Sequence, residues 1–167
     1  MAVLYFAYGS NMCTGLLRQR VPSANPVRIA KLLNHSLRFH KRSDDHSGKC
    51  DAAFTGETAD VVWGVVFEID PAEKSHLDAY EGLGHGYAEK VALVVDTGGN
   101  RHSVFTYVAE NSHIDPALRP YSWYKRFVAE GSSQHTLPPD YIASIKAVPA
   151  TEDPDSNRDA ANRRIDC

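Results

Sequence analysis

Residues 61–69 read VVWGVVFEI, a run of β-branched and aromatic side chains with one glycine and one charge. Strict alternation is missing, so the run does not suit a strand with one wet face; it predicts a strand covered on both sides and central to its sheet. Directly after it, Asp70 is an N-cap candidate, Pro71 suits the first helical position and Glu73 completes the spacing of a capping box. A helix is expected from Pro71 to Glu81, stopped by Gly82. Beyond GLGHG, two strands are expected over Tyr87–Val95 and His102–Val108, with a turn at Gly98-Gly99-Asn100 between them.

Upstream, Val3–Tyr8 is a short buried-strand pattern broken by Gly9-Ser10-Asn11, and Cys13–Arg20 reads as a short helix closed by Pro22 and Pro26. Val27–Leu33 and Leu37–Lys41 alternate like strands around a tight connection at Asn34-His35, and the polar stretch RSDDHSGKCD, residues 42–51, is expected as an exposed loop. Downstream, Ser122–Glu130 reads as a helix ended by Gly131, and Asp140–Val148 as another opened by Pro138-Pro139. From Pro149 onward almost nothing apolar is available for burial, which predicts a mobile polar tail. No internal repeat is visible. About six strands and three or four helices in irregular order indicate the α+β class.

Apolar residues make up 43% of the chain and charged residues 23%, the composition of an ordinary folded domain. With 167 residues and a net charge of -3, one domain without a basic face is expected, which argues against nucleic acid as a partner. Cys13, Cys50 and Cys167 are an odd and widely spaced set with no paired spacing to suggest a zinc cage or a disulfide framework, so a reducing, cytoplasmic setting is expected. The first ten residues lack the basic start of a signal peptide, and no stretch reaches membrane-spanning length.

Two places invite chemistry. In YGSN, residues 8–11, a strand runs into a turn that opens a helix, a geometry that aims backbone N–H groups at an anion; the same residues also suit a plain turn with Ser10 or Asn11 as N-cap. Neither glycine-rich phosphate fingerprint occurs. Glu81 ends its helix, where the dipole disfavours negative charge; it is either a solvated surface carboxylate or, if it faces a tyrosine-lined pocket, an acid-base group with a raised pKa. His35, His40, His46 and Cys50 cluster without metal-ligand spacing, so no metal is expected. Ser10 lacks the nucleophile-elbow pattern, Cys13 reads as part of a helix packing face, and Tyr124, with Trp123 and Phe127, has the spacing of a core stripe.

Taken together, YFAYGSN, VWGVVFEI, the LDxxEG segment at Leu77–Gly82, Gly86-Tyr87 and SWYKRF resemble the gamma-glutamylcyclotransferase family over about Val3–Val148. The resemblance implies a small, mixed, partly closed β-barrel with flanking helices over residues 1–148, leaving 149–167 as the polar tail. It also implies an enzyme that releases an amine from a small gamma-glutamyl amide while the glutamyl part cyclises to 5-oxoproline, with no cofactor. On this reading Tyr5, Phe6, Ala7, Tyr8, Gly9 and Ser10 hold the glutamyl group, Glu81 is the acid-base catalyst, and Tyr87 and Tyr124 contact the substrate. RPYSWY departs from the Pro- and Ser-rich loop of the glutathione-cycle members, so the leaving amine stays open. Two other readings stand beside it: a non-catalytic module binding a glutamyl-like ligand, and a hydrolase releasing glutamate. A carboxylate at Glu81 argues against a pure binder of an anionic group.

Overall fold

A strand with neighbours on both edges and cover on both faces needs apolar side chains throughout, and Val61–Ile69 meets both conditions. The computed structural model describes residues 1–167. It runs β1 (Val3–Ala7), α1 (Thr14–Arg20), β2 (Asn25–Leu33), β3 (His35–Arg42), β4 (Gly48–Phe54), β5 (Val61–Ile69), α2 (Lys74–Glu81), β6 (Tyr87–Asp96), β7 (Arg101–Ala109), α3 (Ser122–Gln134), α4 (Pro139–Lys146) and α5 (Ser156–Arg163). β5 pairs antiparallel with β1 from Val3↔Ile69 to Ala7↔Val65, and with β2 from Asn25↔Glu68 to Leu33↔Val61. Val62, Val65, Val66, Phe67 and Ile69 are all buried. A side chain at Gly64 would collide with the Ala7 carbonyl and the Phe6 ring, which is why the central strand carries a glycine there.

The closed barrel has the strand order β1-β5-β2-β6-β7, and β3-β4 forms a separate two-stranded sheet. The order bears out the α+β, mixed-barrel expectation. Closure rests on two narrow seams: β1 meets β7 in parallel at Tyr5↔Phe105, and β2 meets β6 at Ala30↔Asp96 and Lys31↔Val95. The hairpin β6-β7 forms around the expected Gly98–Asn100 turn.

Asp70 caps the turn before α2 by accepting the Ala72 N–H at 2.9 Å, and Gly82 closes the helix in the left-handed conformation at φ 67°. The predicted box is completed through a third residue. Ser23 Oγ accepts the Asp70 N–H, and Glu73 accepts from both the N–H and the hydroxyl of Ser23, which ties α2 to the loop before β2.

Four expectations are corrected. Residues 48–51 of the supposed loop begin β4, and its polar side chains have internal partners: Asp51 accepts the Ala109 N–H at 2.8 Å and pairs with His40 at 2.7 Å. α3 does not stop at Gly131 but runs to Gln134. Gly131 instead permits contact, because a Cβ there would lie 2.5 Å from Cys13 N and 2.6 Å from Met12 C. The segment read as a mobile tail carries α5, which begins at Asp155 as N-cap and is fastened by Arg158 to the buried Asp153, itself an acceptor for the Trp123 indole N–H. Finally, Cys13 and Cys167 are joined by a disulfide. The spacing of the three cysteines gave no sign of this pair, and only the buried Cys50 is a free thiol. No helix is long and apolar enough to cross a membrane.

Candidate active site

β1 delivers its last side chains and the following turn to one end of the barrel. There Gly9, Ser10 and Asn11 lead into a single 3-10 turn over Ser10–Met12, whose internal bonds begin only with Met12 N–H donating to Gly9 O at 3.1 Å. Neither Ser10 nor Asn11 acts as a side-chain cap; Gly9 holds the cap position of the turn and Cys13 that of α1, so the capping alternative does not apply. Glycine at position 9 lets the turn pack closely, since a Cβ would sit 3.1 Å from Cys50 Cβ and 3.2 Å from the Tyr124 hydroxyl, tighter than ordinary contact.

Beside this turn lies a recess of about 40 Å³ lined by Tyr5, Tyr8, Gly9, Ser10, Asn11, Cys50, Glu81, Tyr87, Thr106, Tyr107 and Tyr124. The geometry therefore gathers Tyr5, Tyr8, Gly9, Ser10, Glu81, Tyr87 and Tyr124 in one place. Phe6 and Ala7 are not on the wall, a correction to the expected contact set: Phe6 packs with its ring over Gly64 and against Tyr8, and Ala7 is fully buried in the barrel.

Cys50 holds two of the tyrosines through its backbone. Its N–H donates to the Tyr124 hydroxyl at 3.0 Å and its carbonyl accepts from the Tyr87 hydroxyl at 2.6 Å. Tyr8 donates to the Tyr107 carbonyl, and the Tyr107 hydroxyl donates to Asp78 at 2.5 Å. Burial raises the pKa of Tyr5, Tyr8, Tyr87 and Tyr124, so all four are neutral donors and acceptors. The Cys50 thiol is pushed up to about 12 by burial, which leaves it protonated and a poor nucleophile.

Glu81 reaches the recess from the last turn of α2. Asn11 Nδ2 donates to Glu81 Oε1 at 2.8 Å and to the Tyr5 hydroxyl at 3.0 Å, while Asn11 Oδ1 accepts from Arg20 at 2.6 Å. Arg20 also donates to Tyr80 at 2.5 Å and stacks on its ring. Desolvation raises the Glu81 pKa, and Arg20, the Asn11 hydrogen bond and Lys41 oppose it, with a net rise. Such a carboxyl exchanges a proton closer to neutrality than a free glutamate does. Asn11 is the residue the sequence reading missed as a site group. Its position in YGSN was visible, but its reach to a carboxylate 70 residues away depends on how α2 packs.

A second cavity, of about 340 Å³, shares Ser10, Glu81, Tyr87 and Tyr124 with the recess and extends toward Lys41, Asp45, Lys49, Trp123 and Arg158. Glu81 thus stands at the junction of a small inner recess and a roomier outer chamber.

The AIG2-like family model matches residues 61–145, which include Glu81, Tyr87 and Tyr124. The mouse protein named gamma-glutamylcyclotransferase is 31% identical over 157 residues, covering 89% of this chain and 80% of the relative. The human protein of the same name is 31% identical over 153 residues, covering 87% and 78%. A solved structure titled gamma-glutamyl cyclotransferase superposes with a TM-score of 0.83 at 28% identity, covering 90% of each chain. With that fold and those relatives over most of its length, the chain belongs to the gamma-glutamylcyclotransferase family.

Proposed function

We propose that this protein cleaves a gamma-glutamyl amide by attack of the substrate's own α-amine on its γ-carbonyl carbon. The new C–N bond closes a five-membered ring, the bond to the departing nitrogen breaks, and 5-oxoproline and a free amine are released. The observation that carries this reading is the placement of Glu81, raised in pKa and hydrogen-bonded to Asn11, between a narrow polar recess and a wider chamber. The recess suits the glutamyl end, and the chamber suits whatever the amide nitrogen carries.

The chemistry needs no protein nucleophile. An intramolecular attack held in the right geometry has an effective molarity that can reach ~10⁵–10⁸ M. The protein's task is to fold the glutamyl chain back on itself, take one proton from the α-amine and return one to the leaving nitrogen. One carboxyl serves both steps best if its pKa lies near the working pH, and burial moves Glu81 upward in that direction. Oxyanion charge on the γ-carbonyl is stabilised on this reading by the N–H groups that open the turn at Gly9 and Ser10. The hydroxyls of Tyr5 and Tyr124 accept protein hydrogen bonds and keep their own protons for the glutamyl carboxylate.

Mass-resolved product analysis on a panel of gamma-glutamyl amides tests this. The unaltered protein is expected to form 5-oxoproline, and Glu81→Gln to lose at least ~10²-fold in turnover, the low end for a general acid-base group. Free glutamate as product would replace the proposal by a hydrolase, and tight binding without product by a binding module.

A further inference from the structure

The strand edge that mounts two of the site tyrosines is itself held from behind. β4 has β3 on one side and no strand on the other, and at Cys50 the N–H and carbonyl are taken by the hydroxyls of Tyr124 and Tyr87. The β3-β4 pairing steps from Arg38↔Asp51 to Lys41↔Lys49, so Phe39 and His40 together face Cys50. Such a two-against-one bulge bends a strand and re-aims its side chains. Here His40 turns to Asp51, and Phe39 sets its ring edge-on to Tyr124, 6.3 Å between centres.

Asp51 follows Cys50 directly, and its buried carboxylate has both oxygens engaged. Oδ1 accepts the Ala109 N–H at 2.8 Å, and Oδ2 pairs with His40 Nε2 at 2.7 Å. Ala109 is the register partner of Tyr87 across the β6-β7 hairpin. A ring of contacts therefore closes: Tyr87 to Cys50 through its hydroxyl, Cys50 to Asp51 along the chain, Asp51 to Ala109, and Ala109 back to Tyr87 across the ladder. Replacing a buried charge by an apolar group is often neutral for stability, so the need to fold does not by itself account for a carboxylate at this position.

Resting on the cyclotransferase reading, we infer that Asp51, with His40 behind it, is a positioning residue for the glutamyl half of the substrate. It fixes the Cys50 peptide against the end of β7, and so sets where the Tyr124 and Tyr87 hydroxyls stand on the wall of the recess. Neither Asp51 nor His40 lines the recess or the outer chamber; His40 lines a separate cavity of about 560 Å³ with Leu37, Phe39 and Leu118. Both residues act on the site through the backbone of Cys50 alone.

A double-mutant cycle separates this role from a purely structural one, because a change that acts by displacing a hydroxyl has less to displace once that hydroxyl is gone. The readout is 5-oxoproline release from the gamma-glutamyl amide that the unaltered protein turns over fastest. Asp51→Ala is expected to lose at least ~10-fold in kcat/KM, short of the ~10²-fold that a 1 Å misplacement can cost. The loss should lie chiefly in KM, since the glutamyl half is held alike in the ground and transition states. In Tyr124→Phe the same change should cost no more than ~3-fold, a coupling that independent residues do not show. Asp51→Asn still offers an oxygen to the Ala109 N–H and should restore most of the activity. His40→Ala keeps the Asp51–Ala109 bond and supplies a second cycle if Asp51→Ala does not fold; its smaller loss should likewise shrink in Tyr124→Phe. Losses that multiply in the cycle, with 5-oxoproline still formed by the unaltered protein, overturn the inference and leave the functional reading standing. Absence of 5-oxoproline with every amide overturns the functional reading and this inference with it.

Discussion

At the scale of single residues, Glu81 is held in a state its surroundings oppose. Burial raises its pKa in the folded chain, while in the unfolded chain it titrates near the usual glutamate value of about 4.3. A group whose folded pKa is raised contributes fully to stability below its unfolded pKa, and that contribution is lost as pH rises through the folded value. Glutamine does not titrate and still accepts the Asn11 bond through its amide oxygen. Glu81→Gln is therefore expected to gain stability relative to the unaltered protein between pH 4 and pH 7. Urea midpoints for the two proteins at both pH values measure this, and a difference independent of pH would mean that Glu81 is not desolvated. Which neighbours act on Glu81 was only partly legible in sequence. Its place at a helix end before Gly82 follows from local rules, and Gly9-Ser10 announces a turn. Asn11 gains its role from packing between distant segments, which no local pattern encodes.

At the scale of elements, glycine is the residue most open to misreading. Gly82 and Gly131 both follow a glutamate on a helix, yet Gly82 ends α2 with φ 67° while α3 passes through Gly131 to Gln134. The difference lies outside the helix, in the Met12-Cys13 backbone pressed against Gly131. Gly131→Ala should gain about 1 kcal/mol of helix propensity. Overpacking costs about 1–3 kcal/mol, and backbone atoms cannot rotate away as a side chain can. With the cost therefore in the upper part of that range, about 2–3 kcal/mol, a net loss of about 1–2 kcal/mol by urea unfolding is expected. Activity should fall as well, because Met12 follows Asn11 directly; an unchanged midpoint would show that α3 and the turn separate without cost. β4 was hidden for a similar reason. Lys49 and Asp51 look like loop residues until their partners Asp45, His40 and the Ala109 amide are brought alongside.

At the scale of the whole molecule, the chain's last residue is fastened to the turn that follows its first strand. Cys13 and Cys167 are 154 residues apart, and the bond between them is supported by Gly15 N–H and Gln134 Nε2 donating to the Cys167 carbonyl at 3.0 and 2.8 Å. Arg126 holds the same segment by donating to the carbonyls of Asn162 and Ile165. The apolar pattern gave little sign of this, because α5 is anchored by polar contacts; Asp155 as N-cap and Asp159 four residues before Arg163 were its local marks. A cross-link over so long a loop removes much of the unfolded chain's freedom, with a typical effect of about 2–4 kcal/mol. Cys167→Ser is expected to lose stability on that order. Adding a thiol reductant to the unaltered protein should bring its urea midpoint down to that of the variant, while the variant itself should not respond. The two measurements together separate the bond from the cysteine side chain. If the unaltered protein keeps its midpoint in reductant while Cys167→Ser falls, the packing of the terminal residue stabilises the fold and the cross-link does not. Equal midpoints in all four conditions would mean that the barrel stands without its C-terminal strap.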